Sequence, residues 1–172
     1  MSDDPPRPFD RARALPLVEA AFRDMVPFNA ALGLQVVDIA PGVVVLRLPW
    51  REELVGNPRT GVLHGGAITA LLDACGGASV FLKMQKPIPI ATLDLRIDYL
   101  KPAAAGRDVF ARSECYKLGR SVAFVRAVAY TEPAAGEAPG RDEDDWVATA
   151  AATFMLATKG DSVMGRASRG GK

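Results

Sequence analysis

The segment TGVLHGGAITALLDACGGASVFL, residues 60 to 82, gathers three kinds of group able to do chemistry. They are the only histidine of the chain, a Gly-Gly pair, and an aspartate set in an apolar run. The pattern predicts a helix from Ala67 to about Met84, roughly five turns long. On it the neighbours of Asp73 at three and four positions are Thr69, Ala70, Gly76 and Gly77, all small. Glycine inside a helix costs about 1 kcal/mol against alanine. Two in succession mean either that another group packs closely there or that space beside the carboxylate stays open. Close packing explains the glycines but not the acid, since a carboxylate buried without a partner is costly.

Gly65 and Gly66, before the predicted helix, offer unhindered N–H groups at the positive end of its dipole, a setting that suits a developing oxyanion. Asp73 lies eight residues beyond Gly65, roughly 12 Å along the helix axis. A carboxylate at that distance cannot activate water against a carbonyl held at its own helix start. Two such helices running antiparallel across a two-fold axis would bring Gly65 of one to Asp73 of the other. The site would be shared and the dimer obligatory.

The flanking segments must supply a scaffold. Residues 11–31 suit an amphipathic helix interrupted by Pro16 and Pro27. Leu34–Ile39 and Val43–Pro49 flank Pro41-Gly42 and predict a hairpin. REELVGNPRTG follows as a polar loop. Beyond the helix come strands over Ile90–Leu100, Val109–Lys117 and Val122–Tyr130, then a last one in WVATAAATFMLAT, about four strands in meander. In ATLDLRIDYL, alternation puts Leu93, Leu95, Ile97 and Tyr99 on one face. Leu118-Gly119-Arg120 is a tight turn, and the acidic stretch 132–145 is an enlarged, solvated hairpin loop.

A chain of 172 residues, 49% hydrophobic and 24% charged, is expected to form one globular domain over 11–158. A disordered segment, 1–10, would precede it, and a flexible basic tail, 159–172, would follow. Twenty-one basic against twenty acidic residues give no electrostatic reason to expect nucleic acid or an anionic membrane as partner. The apolar helix is expected in the core and not in a bilayer, where its aspartate would cost roughly 2.5–3.5 kcal/mol. Cys75 and Cys115 make no disulfide framework, and the acidic, Pro-rich start is unlike a signal peptide, so a cytoplasmic location with reduced thiols is expected. One histidine and two separated cysteines argue against a zinc site. No nucleophile elbow accompanies the histidine, and no base lies at an obvious spacing from Cys75, which reads as core packing.

NPRTGVLHGGAITALLDACGG, followed by IATLDLRIDYLKPA and then LGRSVAFVRAVAY, resembles the hotdog-fold acyl-CoA thioesterases of the PaaI-like, phenylacetate-pathway type, over roughly residues 28–158. The resemblance implies an α+β hotdog fold, a curved antiparallel sheet of about six strands wrapped around one long central helix. It also implies active sites at a homodimer interface, with dimers pairing into tetramers. Asp73 would be general base or nucleophile, and Gly65 the oxyanion donor. Asn57 would polarise the carbonyl or position the attacked group, His64 would orient the loop or Asn57, and Thr92 would hold the attacking water. Gly66 would add to the substrate-binding helix start. Lys117 and Arg120 are either contacts for the phosphates of coenzyme A or solvated turn charges. Asn57 and His64 stand seven positions apart, one more than the family pattern. No metal or bound cofactor is implied, coenzyme A being part of the substrate. A thioester carbonyl is electrophilic, and its thiolate leaves with little acid assistance. Two other functions remain open at this level: a hotdog hydratase or dehydratase acting on an enoyl-CoA, and a non-catalytic acyl-CoA binding protein.

Overall fold

A computed structural model describes residues 9–84, 86–131 and 143–157. The expected tail 159–172, residues 1–8 of the expected leading segment, and positions 132–142 of the acidic loop lie outside them. Helix α1 (Arg11–Asp24) begins at Asp10, whose carboxylate accepts from the Arg13 N–H at 3.1 Å. Pro16 does not interrupt this helix, contrary to the sequence reading. Ala14, Leu15, Val18 and Phe22 pack against the core on either side of it, which outweighs the one lost backbone bond. Pro27 instead opens a new short helix, α2 (Pro27–Leu32), at a position where its missing N–H costs nothing.

Strands β1 (Gln35–Ala40) and β2 (Val43–Leu48) form the expected hairpin, with Gly42 supplying the positive φ of 74° that the turn needs. The polar loop that follows carries unexpected structure. A 3₁₀ turn at Glu52–Leu54 leads into β3 (Val55–Asn57), which pairs with β4 (Val62–Leu63) as a small separate sheet. The central helix α3 then runs from Gly65 to Lys83, two residues earlier at its start than the periodicity suggests. β5 (Ile90–Tyr99), β6 (Val109–Leu118), β7 (Val122–Thr131) and β8 (Trp146–Leu156) complete the chain.

The main sheet is antiparallel, in the order β1-β2-β6-β7-β8-β5. β6, β7 and β8 form a meander, but β5 does not join it beside β6. It lies at the far edge against β8, so the simple four-strand meander is corrected. The β5–β6 connection, residues 100–108 with Pro102 and Gly106, is long enough to cross to the other side of the sheet.

The sheet wraps α3. By length and composition this helix could cross a bilayer, but half of that apolar window is buried inside the fold. Ile68, Leu71, Leu72 and Cys75 pack with Val44, Leu46, Leu48, Val109 and Ala111 on the inner face, and Val80 packs in a second cluster with Cys115, Val125 and Phe154. The alanines of β7 and β8 explain how a helix fits against so curved a sheet. Ala127 pairs with Ala150, and Ala129 with Ala148, all buried, so a floor of small side chains lets the backbones approach. This is the α+β arrangement of six strands around one helix that the resemblance implies.

Candidate active site

The start of α3 is built by close approaches. His64 is its N-cap: backbone extended at φ −64°, ψ 133°, with Nδ1 accepting from the Gly66 N–H at 2.9 Å. The His64 N–H donates to the Leu54 carbonyl at 2.8 Å, tying the helix start to the 3₁₀ turn. A Cβ on Gly66 would sit 2.9 Å from His64 Nδ1, so the cap requires glycine there. The two glycine amides therefore differ. That of Gly66 is engaged by His64, while that of Gly65 has no acceptor among the described residues. Only the Gly65 N–H is left to meet a ligand, at the positive end of the dipole.

Asp73 lies two turns further on, half-buried, and accepts from the Thr92 hydroxyl at 2.8 Å. The two side chains meet because of an irregularity in β5. Thr92 pairs with Phe154 and Asp94 with Thr153, so Leu93 is an extra residue in a β-bulge. Side chains alternate along a strand, and without the bulge Thr92 and Tyr99, seven positions apart, would face opposite ways. With it, Thr92 reaches Asp73 while Tyr99 reaches the start of α3. The expected grouping of Leu93 with Leu95, Ile97 and Tyr99 is corrected accordingly: Leu93 is 56% exposed, and the other three keep a common register.

The paired glycines after Asp73 have separate reasons. A Cβ on Gly76 would press on the Phe154 ring at 3.1 Å, whereas one on Gly77 would make ordinary contacts at 3.6 Å and 3.7 Å. Gly76 is a packing glycine, and Gly77 keeps the surface beside the acid low. The sheet leaves this stripe of α3 (Gly66, Ala70, Asp73, Gly77, Phe81) exposed or half-exposed.

Asn57 ends β3 and organises the turn to β4. Its Oδ1 accepts from the Arg59 N–H at 3.1 Å, and its carbonyl accepts from the Gly61 N–H at 2.9 Å. That turn holds the seven-residue spacing between Asn57 and His64. Lys117 and Arg120 are exposed around the β6–β7 turn. Lys117 lies over the Phe124 ring, 5.8 Å from its centroid. The neighbouring Cys115 N–H bonds the Gly42 carbonyl, whose own N–H bonds Leu82, so this end of the sheet meets the C-terminus of α3. Within one chain these two cations are therefore not brought beside Gly65.

Tyr99 is the residue of this candidate site that the sequence reading missed. It is 50% exposed, and its hydroxyl donates to the Gly65 carbonyl at 2.7 Å and lies 2.9 Å from Thr69 Oγ1. With Val62, Ile68, Leu100, Pro102 and Ala103 it lines an open, mostly apolar groove of ≈ 420 Å³ beside Gly65. Its only sequence signal was a polar tip at the end of an alternating run. Cys75, by contrast, is fully buried, and burial pushes its thiol up to about 12, which leaves it inert as a nucleophile.

A half-exposed carboxylate braced by a hydroxyl, an unpartnered N–H at a helix start and an apolar groove suit water attack on an activated acyl group. Comparison with known proteins agrees. The thioesterase superfamily family model matches residues 60–137. The medium/long-chain acyl-CoA thioesterase YigI of Escherichia coli is 30% identical over 84% of this chain and 94% of its own length. A crystal structure of a Pseudomonas aeruginosa protein is 35% identical, with TM-score 0.69 over 83% of this chain and 98% of that one. A mutant of the phenylacetic acid degradation protein PaaI from Thermus thermophilus is 29% identical, with TM-score 0.62 over 77% of this chain and all of its own. The chain belongs to the thioesterase superfamily, as a PaaI-like member with the hotdog fold. It is a thioester-hydrolysing enzyme.

Proposed function

We propose that this enzyme hydrolyses acyl-CoA thioesters at a site assembled from two copies of the chain. The observation that carries the reading is the separation of its two ends. The free Gly65 N–H and the Thr92-braced Asp73 lie on one helix, roughly 12 Å apart along its axis. Reaction requires attacking and attacked atoms about 3–3.5 Å apart. An antiparallel pairing of two α3 helices through their uncovered stripes places Gly65 of each opposite Asp73 of the other. β5 supports such a pairing, being a ten-residue edge strand with one side free of the main sheet.

In this site the thioester carbonyl oxygen points at the Gly65 N–H. Thr92 and Asp73 hold a water, and Asp73 takes its proton as the water oxygen bonds to the carbonyl carbon. The oxyanion is stabilised at the helix start. It collapses with cleavage of the C–S bond, and the departing thiolate takes up a proton, giving free acid and CoA. Attack by Asp73 itself, through an anhydride that water then opens, uses the same residues. Asn57 keeps its amide NH₂ for the substrate carbonyl while its Oδ1 serves the turn. Lys117 and Arg120 follow Cys115, which is tied through Gly42 to the C-terminal end of α3, and that end lies about 15 Å along the helix axis from Asp73. At that range they would meet the nucleotide of coenzyme A and not the thioester. The apolar groove, and the substrate class in the name of the relative YigI, support medium- to long-chain acyl groups.

The test measures thiol release from short, medium, long and aromatic acyl-CoAs, wild type beside Asp73→Asn. Turnover of the longer substrates, lost in the variant, is the expected result. No turnover of any member would leave a binding protein or an enoyl-CoA hydratase. Sharing is tested with two inactive parents, Asp73→Asn and Gly65→Pro. Random mixing of their chains should recover about a quarter of wild-type activity, because half of the dimers then hold one intact site of two. A fully active monomer would sink the shared site.

A further inference from the structure

The Gly65–Gly66 peptide is gripped at both ends. His64 Nδ1 accepts its N–H at 2.9 Å, and the Tyr99 hydroxyl donates to its C=O at 2.7 Å. Thr69 Oγ1 stands 3.1 Å from the same carbonyl and 2.9 Å from the Tyr99 oxygen. Two hydroxyl hydrogens serve these three contacts, and the shortest is the one from Tyr99. The Tyr99 ring also underlies the glycine, since a Cβ on Gly65 would lie 3.3 Å from the hydroxyl and 3.5 Å from Cζ. Consecutive glycines have the widest conformational freedom of any pair, and a helix start has few bonds of its own to restrain them. Two outside groups supply that restraint here, one from the cap and one from the last residue of β5.

We infer that Tyr99 is a positioning residue: by holding the Gly65 carbonyl it fixes the direction of the adjacent, unpartnered Gly65 N–H. The inference rests on the proposed role of that N–H as oxyanion donor. Tyr99 acts through the glycine. Its hydroxyl is committed to protein, while its ring forms one wall of the groove.

Tyr99→Phe keeps the wall and removes the donor. The expected result is a fall in kcat of about tenfold, a fraction of the 10²–10³ attached to a whole oxyanion donor, with KM changed less than about twofold. Two further measurements separate positioning from other roles. In a Gly65→Pro background, where the N–H is gone, adding Tyr99→Phe should lower kcat no further. An equal loss in both backgrounds would overturn the inference, since Tyr99 would then act independently of Gly65. Independently of any activity, amide exchange at Gly66, whose N–H is the one held by His64, should speed up about tenfold in the full chain of Tyr99→Phe. Unchanged exchange would overturn it as well. Should wild type fail to turn over any acyl-CoA, the proposed function falls, and the exchange measurement still decides whether Tyr99 holds the helix start.

Discussion

Two polar pairs sit two residues apart on α3, and they have opposite fates. Asp73 is braced by the Thr92 hydroxyl at 2.8 Å, and Cys75 meets the Ser113 hydroxyl at 3.2 Å. Both couple a helix side chain to a hydroxyl-bearing strand residue. Cys75 and Ser113 are fully buried under β2 and β6, where Ser113 also donates to the Cys75 carbonyl at 2.6 Å. Asp73 lies on the stripe that the sheet leaves uncovered, opposite an edge strand. Burial makes the first pair a fixture of the core with a weakly acidic thiol. Partial exposure leaves the other pair open to a ligand. The difference lies in what covers the residue more than in the residue type.

The largest effects should divide along that line. Asp73→Asn is expected to lower kcat by about 10³ or more, within the range for losing a general base, with Tm nearly unchanged. Cys75→Ala should do the reverse. Activity stays within about twofold, while loss of a packed sulfur costs about 1–2 kcal/mol, or roughly 2–8 °C in Tm. Steady-state kinetics and a melting curve on both variants check this, and a Cys75→Ala enzyme with lost activity would break the contrast.

Gly65→Pro comes next. Proline suits the first helical position, and His64 already has the extended backbone that a residue before proline prefers. The variant should fold and lose about 10²–10³ in kcat, because the proposed oxyanion N–H is removed, while the added Cβ, 3.3 Å from the Tyr99 hydroxyl, asks for only a small shift of that side chain. Near-normal turnover would move the oxyanion away from this amide. Thr92→Val should be milder, about tenfold in kcat, because Asp73 remains but loses the hydroxyl that braces it. An unchanged rate would reduce Thr92 to a strand residue that happens to face the acid.

Much of this was legible in the sequence, for physical reasons that can be named. α3 showed itself through a long apolar run between Gly-Gly and Lys-Pro-Ile-Pro, and Asp73 through its small neighbours. The β1–β2 hairpin showed itself through Pro41-Gly42. What stayed hidden depends on pairings between distant segments. The bulge at Leu93 leaves no mark in the alternation of ATLDLRIDYL, because a leucine looks the same in a bulge as on a buried face. The partner of β5 is chosen by a crossover that no local turn encodes. Tyr99 read as one more residue on the alternating face of a strand, since its hydroxyl has meaning only once Gly65 lies beside it. The same holds for the unequal glycines, which only the His64 ring distinguishes.

The smallest predicted effect tests the sealed side of the comparison. Burial pushes Cys75 from an ordinary 9.0 to about 12. It also pushes Tyr130 from 10.0 to about 12, with the Cys75 charge adding to the rise; Tyr130 is 1% exposed, and its hydroxyl has no hydrogen-bond partner among the described residues. Both groups are neutral when protonated, and both bind their proton more tightly folded than unfolded. Their contribution to stability is thus whole below about pH 9. It is lost as the unfolded chain begins to ionise them, through the window from about 9 to about 12. Tm should be flat from pH 7 to about 9 and decline above that. In Cys75→Ala the thiol no longer contributes, so the Tm gap between wild type and variant should narrow steadily above pH 9. A gap that stays constant to pH 12 would mean that the thiol is not held protonated by the core, and Cys75 would then belong with the accessible groups on the other face of the helix.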